Sequence, residues 1–475
     1  DRFSNNEFLY YNIPNFGNSS NRTSQQYEDD LGFDVTFDFK RELRKEGEEI
    51  TGNVTYGSDT EDGTNDYFQS YASNRANLVR NNTTSETGKN WNMQLDYVLP
   101  LGDNHKFEAG YRTTIRNSFD EQYSELQDTT TQAFLPDYRV SNNFDLKSSV
   151  HALYANYQRM LTKKIGMQVG LRAEQAYLAS TYFNLDPAAN GSTTKGEQDY
   201  FRLYPTVYLT YDVGEAGDKV QMSYSRRVQR PRGWQVNPFI DISDETNYRQ
   251  GNPNLMPEDI HSFEASFAKF YDKWNFISSA YYRHINDLTQ PFFRNADEIA
   301  DIVGDNSNVT YAKWDNVAKQ DVVGFELISK VNIFKWWDVT GNGNVFYNQI
   351  NPYAELKKKK TTNFSWNGNL TTNVKFTKST SAQLRADYRA PQNSLQGKMK
   401  SMTGVDFALR QDILKGKGSL MFNVRDVFNT RKFRMENYLP TRITSMEHRW
   451  MPRMFTLAFS YRFGIQDSSR KKNNE

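Results

Sequence analysis

The sequence predicts an all-β fold, a transmembrane antiparallel up-and-down β-barrel with about seventeen strands visible. Three observations predict it. Mean hydropathy is -0.81, and no stretch approaches the ~18–20 consecutive apolar residues of a transmembrane helix, which excludes helical insertion. Aromatic residues nevertheless make up 15% of the chain, with 29 Tyr, 32 Phe and 8 Trp. A disordered chain this polar would hold few aromatics, having neither core nor membrane to bury them. A barrel wall reconciles the two, because apolar side chains alternate outward to lipid with polar ones inward to water. The third observation is that short and long connections alternate along the chain.

Residues 1–30 are Asn- and Ser-rich and contain Pro14 and Gly17. They are expected as a loop or partial strand at a truncated start. The barrel is expected over 31–464, followed by a polar tail at 465–475. Period-two alternation begins at once. In Phe33-Asp34-Val35-Thr36-Phe37-Asp38-Phe39 the odd positions are apolar and the even ones acidic or hydroxyl-bearing. Val220, Met222 and Tyr224 alternate with Gln221, Ser223 and Ser225, and Leu420, Phe422 and Val424 with Met421, Asn423 and Arg425. In the last strand Phe455, Leu457, Phe459, Tyr461 and Phe463 share one face. Only an extended backbone sorts residues this way. Short turns fall near 43–47, 100–104, 161–164, 213–218, 271–274, 333–337, 377–380 and 414–417. Longer polar segments fall at about 60–86, 119–145, 183–198, 229–259, 289–316, 351–362, 391–398 and 430–447. That order fits short periplasmic turns and longer extracellular loops, hence the outer membrane of a Gram-negative bacterium.

Seventeen strands is an odd number, whereas bacterial single-chain barrels have even ones. The expectation is a start lost before Asp1; the alternative is one weak strand missed or split, within 60–86. Asp1-Arg2-Phe3-Ser4 has neither the basic start nor the apolar core of a signal peptide, as in a mature or truncated chain. Lys+Arg number 58 against 57 Asp+Glu, so no bulk field draws the chain to nucleic acid. The absence of Cys excludes disulfides and thiolate chemistry.

The run Ser223-Tyr224-Ser225-Arg226-Arg227-Val228-Gln229-Arg230-Pro231 leads to Asn237-Pro238-Phe239. Gly251-Asn252-Pro253-Asn254-Leu255-Met256-Pro257-Glu258 follows. With Gly170-Leu171-Arg172-Ala173-Glu174, Asp426-Val427-Phe428-Asn429-Thr430 and the closing Tyr461-Arg462-Phe463-Gly464, this order resembles the outer-membrane protein beta-barrel family of TonB-dependent receptor-like barrels, over about 31–464. The resemblance implies a 22-stranded barrel, preceded by a plug and a small periplasmic sandwich, that takes up a nutrient or binds a ligand when TonB pulls on the plug. Five strands would then be missing, and neither the plug nor a TonB-contacting segment precedes Asp1. The resemblance also implies that the terminal aromatic strand is read by the barrel-assembly machinery. The polar tail from Gly464 departs from that pattern.

Pro231, Pro238, Pro253 and Pro257 crowd the connection 229–259, and proline lacks a ladder donor, so the wall cannot continue there. This loop either folds over the lumen to gate or recognise a ligand, or is a rigid brace of the rim. Arg226, Arg227 and Arg230 stand at its entrance, and pairing with Glu258 or Asp259 is the expected role. The five histidines, His105, His151, His261, His284 and His448, are too scattered for a zinc site. Asp59, Glu61, Asp62, Asn65 and Asp66 lack EF-hand spacing and read as a solvated acidic loop. Lys357 to Lys360 form a basic loop tip that could meet lipopolysaccharide phosphates. Trp234, Tyr248, Phe292, Phe293 and Trp314 are candidates for ligand stacking or for loop and girdle packing. No cofactor or metal is expected, and no nucleophile elbow, Walker loop or His-Glu-x-x-His exists, so an enzyme is not expected. The alternative to uptake is a structural barrel, for instance one that carries a surface lipoprotein. A seventeen-stranded wall would leave an open edge in lipid, stranding backbone donors and acceptors. This chain expressed alone is therefore expected to aggregate; heat-modifiable gel migration with bilayer conductance would show the opposite.

Overall fold

The computed structural model describes residues 2–9, 19–214, 217–242, 244, 246–294, 309–439, 443–449 and 452–463. The chain divides into two compact units: Asp1–Leu209 with Ser223–Ser262 and Ile285–Lys319, and Thr210–Met222 with Phe263–His284 and Gln320–Glu475. Among the described residues no helix is long and apolar enough to cross a membrane. The strands are β1 (Arg2–Leu9), β2 (Ser19–Glu42), β3 (Glu49–Tyr71), β4 (Leu78–Gly102), β5 (His105–Gln127), β6 (Phe134–Pro136), β7 (Asn142–Met160), β8 (Ile165–Asn184) and β9 (Thr193–Asp212). They continue as β10 (Lys219–Gln229), β11 (Ile240–Asp241), β12 (Asn247–Gln250), β13 (Glu258–Phe270), β14 (Trp274–Arg294), β15 (Thr310–Phe334), β16 (Trp337–Pro352), β17 (Thr361–Lys375) and β18 (Thr380–Arg389). The last are β19 (Gln392–Ser394), β20 (Gly397–Met399), β21 (Met402–Ile413), β22 (Gly418–Arg425), β23 (Phe433–Tyr438), β24 (Ile443–His448) and β25 (Met454–Tyr461). A sheet of 21 strands holds all but β19, β20, β23 and β24, which form a separate four-stranded sheet. Four of the 21 are short: β1, β6 and β12 add to the outer part of longer neighbours, and β11 pairs with β12. The other seventeen are the wall strands.

In the first unit β2, β3, β4, β5, β7 and β8 pair antiparallel in chain order. Their register lines up the lipid-facing side chains. One row runs Phe39, Gly52, Leu95, Tyr111, Leu153, Ala173 across six strands, and Leu153 is 64% exposed. Four residues outward the row is Val35, Tyr56, Trp91, Ile115, Ser149, Tyr177, where Tyr56 and Trp91 touch with ring centroids 4.5 Å apart. Beyond it the same face turns polar, with Lys89, Asn117 and Lys147 in one row. Toward the short turns Leu99, Phe107, Tyr157 and Val169 share a row. Trp91 to Leu99 is roughly 27 Å along an extended strand, which on a tilt of ~35–45° gives the height of an apolar band. Leu153 lies at mid-band, so Leu153→Arg is expected to cost ~2–4 kcal/mol. Urea titration in lipid vesicles checks this, with Leu161→Arg, at the turn end of the same side, costing much less.

The second unit repeats the arrangement. β16, β17, β18, β21, β22 and β25 pair antiparallel in order. Trp337, Val374, Ala382, Leu409, Phe422 and Leu457 share a row near the short turns. Phe334, Trp336 and Trp337 stack there at 5.2–6.3 Å. Eight residues outward Val345 faces Trp366, which lies 4.5 Å from Tyr388. Phe455, Leu457, Phe459, Tyr461 and Phe463 are all exposed, as is the rest of β25, which pairs with β22.

The wall extends further than its hydropathy suggests. The long polar loop expected at 60–86 is instead strand: β3 and β4 have 23 and 25 residues and leave only 72–77 between them. β1 pairs with the outer part of β2, so residues 2–9 and 19–30 are strand as well. Asp59, Glu61 and Asn65 therefore project to one side of β3, and Asp62 and Asp66 to the other.

Candidate functional site

The connection from β10 to β13 is a folded insert on the inner face of the first unit. After Pro231 comes a single helical turn, α1 (Gly233–Val236), then β11 and β12, which form a small hairpin. β12 adds parallel to the outer end of β15, Asn247 opposite Thr310. Val236 and Leu255 are fully buried against Phe144 of β7, with Leu146, Leu178, Tyr182 and Trp314 around them. On β8, Leu178 and Tyr182 have the parity opposite to lipid-facing Leu171 and Tyr177. The insert therefore lies on the side of the wall away from lipid.

Close backbone approach holds the insert together. Gly251 N–H donates to Asn237 O at 2.9 Å and Asn252 N–H to Gln235 O at 2.7 Å. The Asn237 amide oxygen accepts from Phe239 N–H at 3.0 Å, and Gln250 Nε2 donates to Pro238 O at 2.7 Å. Pro253 sits over Gly196 of β9, where a Cβ would come within 2.4 Å of the proline ring. Polar clamps fasten the insert to the wall. Gln198 donates to Leu255 O. Asn252 Nδ2 donates to Asp315 at 2.7 Å, and Asn316 accepts from Met256 N–H at 2.8 Å while donating to Met256 O at 2.9 Å. Glu258 accepts from Thr289 N–H at 2.7 Å, and Pro257 is fully buried.

The three arginines at the entrance have different fates. Arg226 is bidentate to Asp259, Nε lying 2.9 Å from Oδ1. Arg230 reaches Glu174 of β8 and donates to Tyr200 Oη at 3.0 Å. Arg227 is exposed and joins neither pair. Glu174, quoted above only within the Gly170–Glu174 run, is buried between Arg172 and Arg230, a role that sequence reasoning missed. Arg172 and Glu174 share one face of β8, a readable signal, but Arg230 lies 56 positions away. Asp315 and Asn316, also missed, follow the candidate Trp314, which meets Trp234 edge-on at 4.8 Å. Phe292 is buried, whereas Trp234 is 55% exposed.

Outward of the apolar band, Asp30, Glu61, Glu86 and Asp120 stand opposite one another on four adjacent strands, on the inner face. Such a row repels anions from that face. Among the described residues no group of three or more His, Cys, Asp or Glu could hold a metal. His151, His261 and His284 contact Tyr111, Tyr224 and Asp321 respectively.

A wall with one apolar face and one charged, hydrogen-bonded face that carries a packed insert defines an outer-membrane β-barrel. The family model for the outer membrane protein beta-barrel family matches residues 41–461, and the chain belongs to that family. Among solved structures, the ferric yersiniabactin uptake receptor FyuA from Yersinia pestis aligns at TM-score 0.56 and 13% identity, over 93% of this chain and 71% of that one. The ferric-catecholate import receptor Fiu from E. coli K12 aligns at TM-score 0.60 and 12% identity, over 94% and 65%. The siderophore receptor PiuA from Acinetobacter baumannii aligns at TM-score 0.56 and 14% identity, over 93% and 72%. The likeness is one of fold. No curated protein sequence matches the chain.

Proposed function

We propose that the chain is the wall of an outer-membrane uptake receptor that admits a nutrient under TonB drive. The supporting observation is the insert fixed to the inner face. A rigid partition there narrows a polar passage and presents a fixed surface to a solute, and no bond is made or broken. Arg230, Pro231, Asn237, Pro238, Phe239, Gly251, Asn252, Pro253, Leu255, Pro257 and Glu258 serve to build that partition, with Arg227 at its exposed margin. The aromatic face of β25 is the surface offered to the barrel-assembly machinery. The test is growth of cells carrying the full-length gene or its deletion on a panel of iron chelates and glycans as sole sources. Uptake predicts at least one source lost in the deletion and lost equally when TonB is removed. Growth on every source in both strains, with a surface lipoprotein co-purifying, would replace uptake with the accessory-barrel reading.

A further inference from the structure

We propose that Asn190 is a site of spontaneous covalent modification, deamidating through a cyclic imide with Gly191 and leaving a new negative charge on the loop between β8 and β9. An Asn-Gly dipeptide is open to this chemistry because glycine has no Cβ to obstruct its backbone nitrogen. The chain contains three such dipeptides, Asn190-Gly191, Asn342-Gly343 and Asn367-Gly368. Their settings differ, and the difference selects one. Asn342-Gly343 lies within β16, opposite Asn369 and Gly368 of β17. Asn367-Gly368 lies within β17, paired to β16 on one side and, through Arg389 and Tyr388, to β18 on the other. Ring closure requires the asparagine ψ to swing far from its extended value, and in a wall strand that swing breaks the ladder. The Asn342 amide is tied down as well, its Nδ2 donating to Glu326 at 2.9 Å.

Asn190-Gly191 follows a single short helical turn, Pro187–Ala189, and both residues are exposed. Asn190 has φ 50° and ψ 37°, and Gly191 has φ 69°. Asparagine and glycine tolerate this left-handed backbone better than other residues. A Cβ on Gly191 would meet nothing within 4 Å, so the space around its nitrogen is open. Among the described residues Gly191 N–H donates to no backbone carbonyl. A swing of ψ at Asn190 disturbs a turn bond, Ser192 N–H to Ala189 O at 3.0 Å, rather than a ladder. The step needs only water. The Gly191 nitrogen gives its proton to water and bonds to Cγ of Asn190, the Cγ–Nδ2 bond breaks, and ammonia leaves. Water then opens the imide. Attack at Cγ restores the ordinary main chain with an aspartate, and attack at the backbone carbonyl carbon leaves an isoaspartate, whose main chain is one carbon longer. No electrons are exchanged. The loop leads into Gly196 and Gln198 of β9, which meet Pro253 and Leu255 of the insert.

The inference stands on the backbone of one loop and two wall strands, independently of uptake. Its test holds the full-length protein in detergent in mildly alkaline buffer and follows its peptides by mass spectrometry, which reads the exchange of NH for O. Enzymatic methylation reads isoaspartate. In the folded protein Asn190 is expected to convert about tenfold faster than Asn342 or Asn367, the rate ratio that one ladder bond imposes. In denaturant all three are expected to convert at like rates. Asn190→Gln should abolish the conversion in the loop, and Gly191→Ala should slow it, with heat-modifiable migration showing that both variants fold. Equal rates at the three sites in the folded protein would overturn the assignment. So would an Asn190 that stays intact in the folded protein while the unfolded chain converts. Protection of Asn342 and Asn367 that persists in denaturant would place the selectivity in local sequence and overturn the structural argument.

Discussion

Gly251→Ala is expected to release the insert from the inner face while leaving the wall intact. A Cβ at this position would stand 2.3 Å from Asn237 O, 2.7 Å from Gln235 O and 2.8 Å from Asn237 N. All three are backbone atoms in the hydrogen-bonded join between α1 and the start of the Gly251–Glu258 segment, so no side chain can swing aside. Ordinary overpacking costs ~1–3 kcal/mol, and a clash with fixed backbone exceeds it. The strain is relieved by breaking the Gly251–Asn237 and Asn252–Gln235 bonds, after which Val236 and Leu255 lose their shared burial on Phe144. Limited proteolysis of the folded protein should then cut within 231–257, where the parent protein resists. Unchanged heat-modifiable migration would show that β2–β8 still form. Resistance to protease equal to the parent's would mean that the join is adaptable and that the insert is held elsewhere. Under the uptake reading the same variant loses discrimination between solutes before it loses conductance.

The wall was legible because lipid enforces period-two alternation, and each short turn between apolar runs is marked by a break in that period. Val35, Phe37 and Leu457 could be placed from their neighbours alone. The outer ends of β3, β4 and β5 could not. Once both faces meet water, as at Thr60, Glu61, Asp62 and Gly63, hydropathy no longer separates strand from loop, and pairing with β2 and β4 decides the conformation. For the same reason residues 1–30 could be read only as a loop or partial strand, and 2–9 form strand β1. The insert showed itself through its prolines, which mark where the ladder stops, but not through its destination. Val236 and Leu255 carry no local sign that they meet Phe144, some ninety and more positions earlier. Glu174 was hidden similarly: its partner Arg230 comes from a different strand, and only folding brings the two together.

The second large effect concerns a buried ion pair at the outer end of β5. Arg80 and Asp137 meet at 2.7 Å with side chains only 5% and 4% exposed. Asp137 also accepts from Arg139, Nε at 2.8 Å and Nη2 at 2.9 Å, and its own N–H donates to Ser124 O at 2.8 Å. Ser141 Oγ closes the turn onto Asp137 O at 2.9 Å. The carboxylate is thus the pin of the segment 128–141. Burial alone would push its pKa up, but Arg139 and Arg80 outweigh burial and hold it below the ordinary carboxylate range. A lowered folded pKa means that the stabilisation is fully present above the unfolded value and fades as pH falls through the folded one, below about 4. Asp137→Asn removes it at every pH and leaves Arg80 buried without a counter-charge, at a cost of roughly 3–5 kcal/mol to the local fold. Protease cleavage between 128 and 141 should therefore rise sharply in Asp137→Asn at pH 7, and in the parent only in strong acid. Arg80→Met combined with Asp137→Asn leaves no buried charge and should regain most of the loss. If the double variant is as labile as Asp137→Asn alone, the segment is held by the hydrogen bonds of Ser124 and Ser141 rather than by the pair.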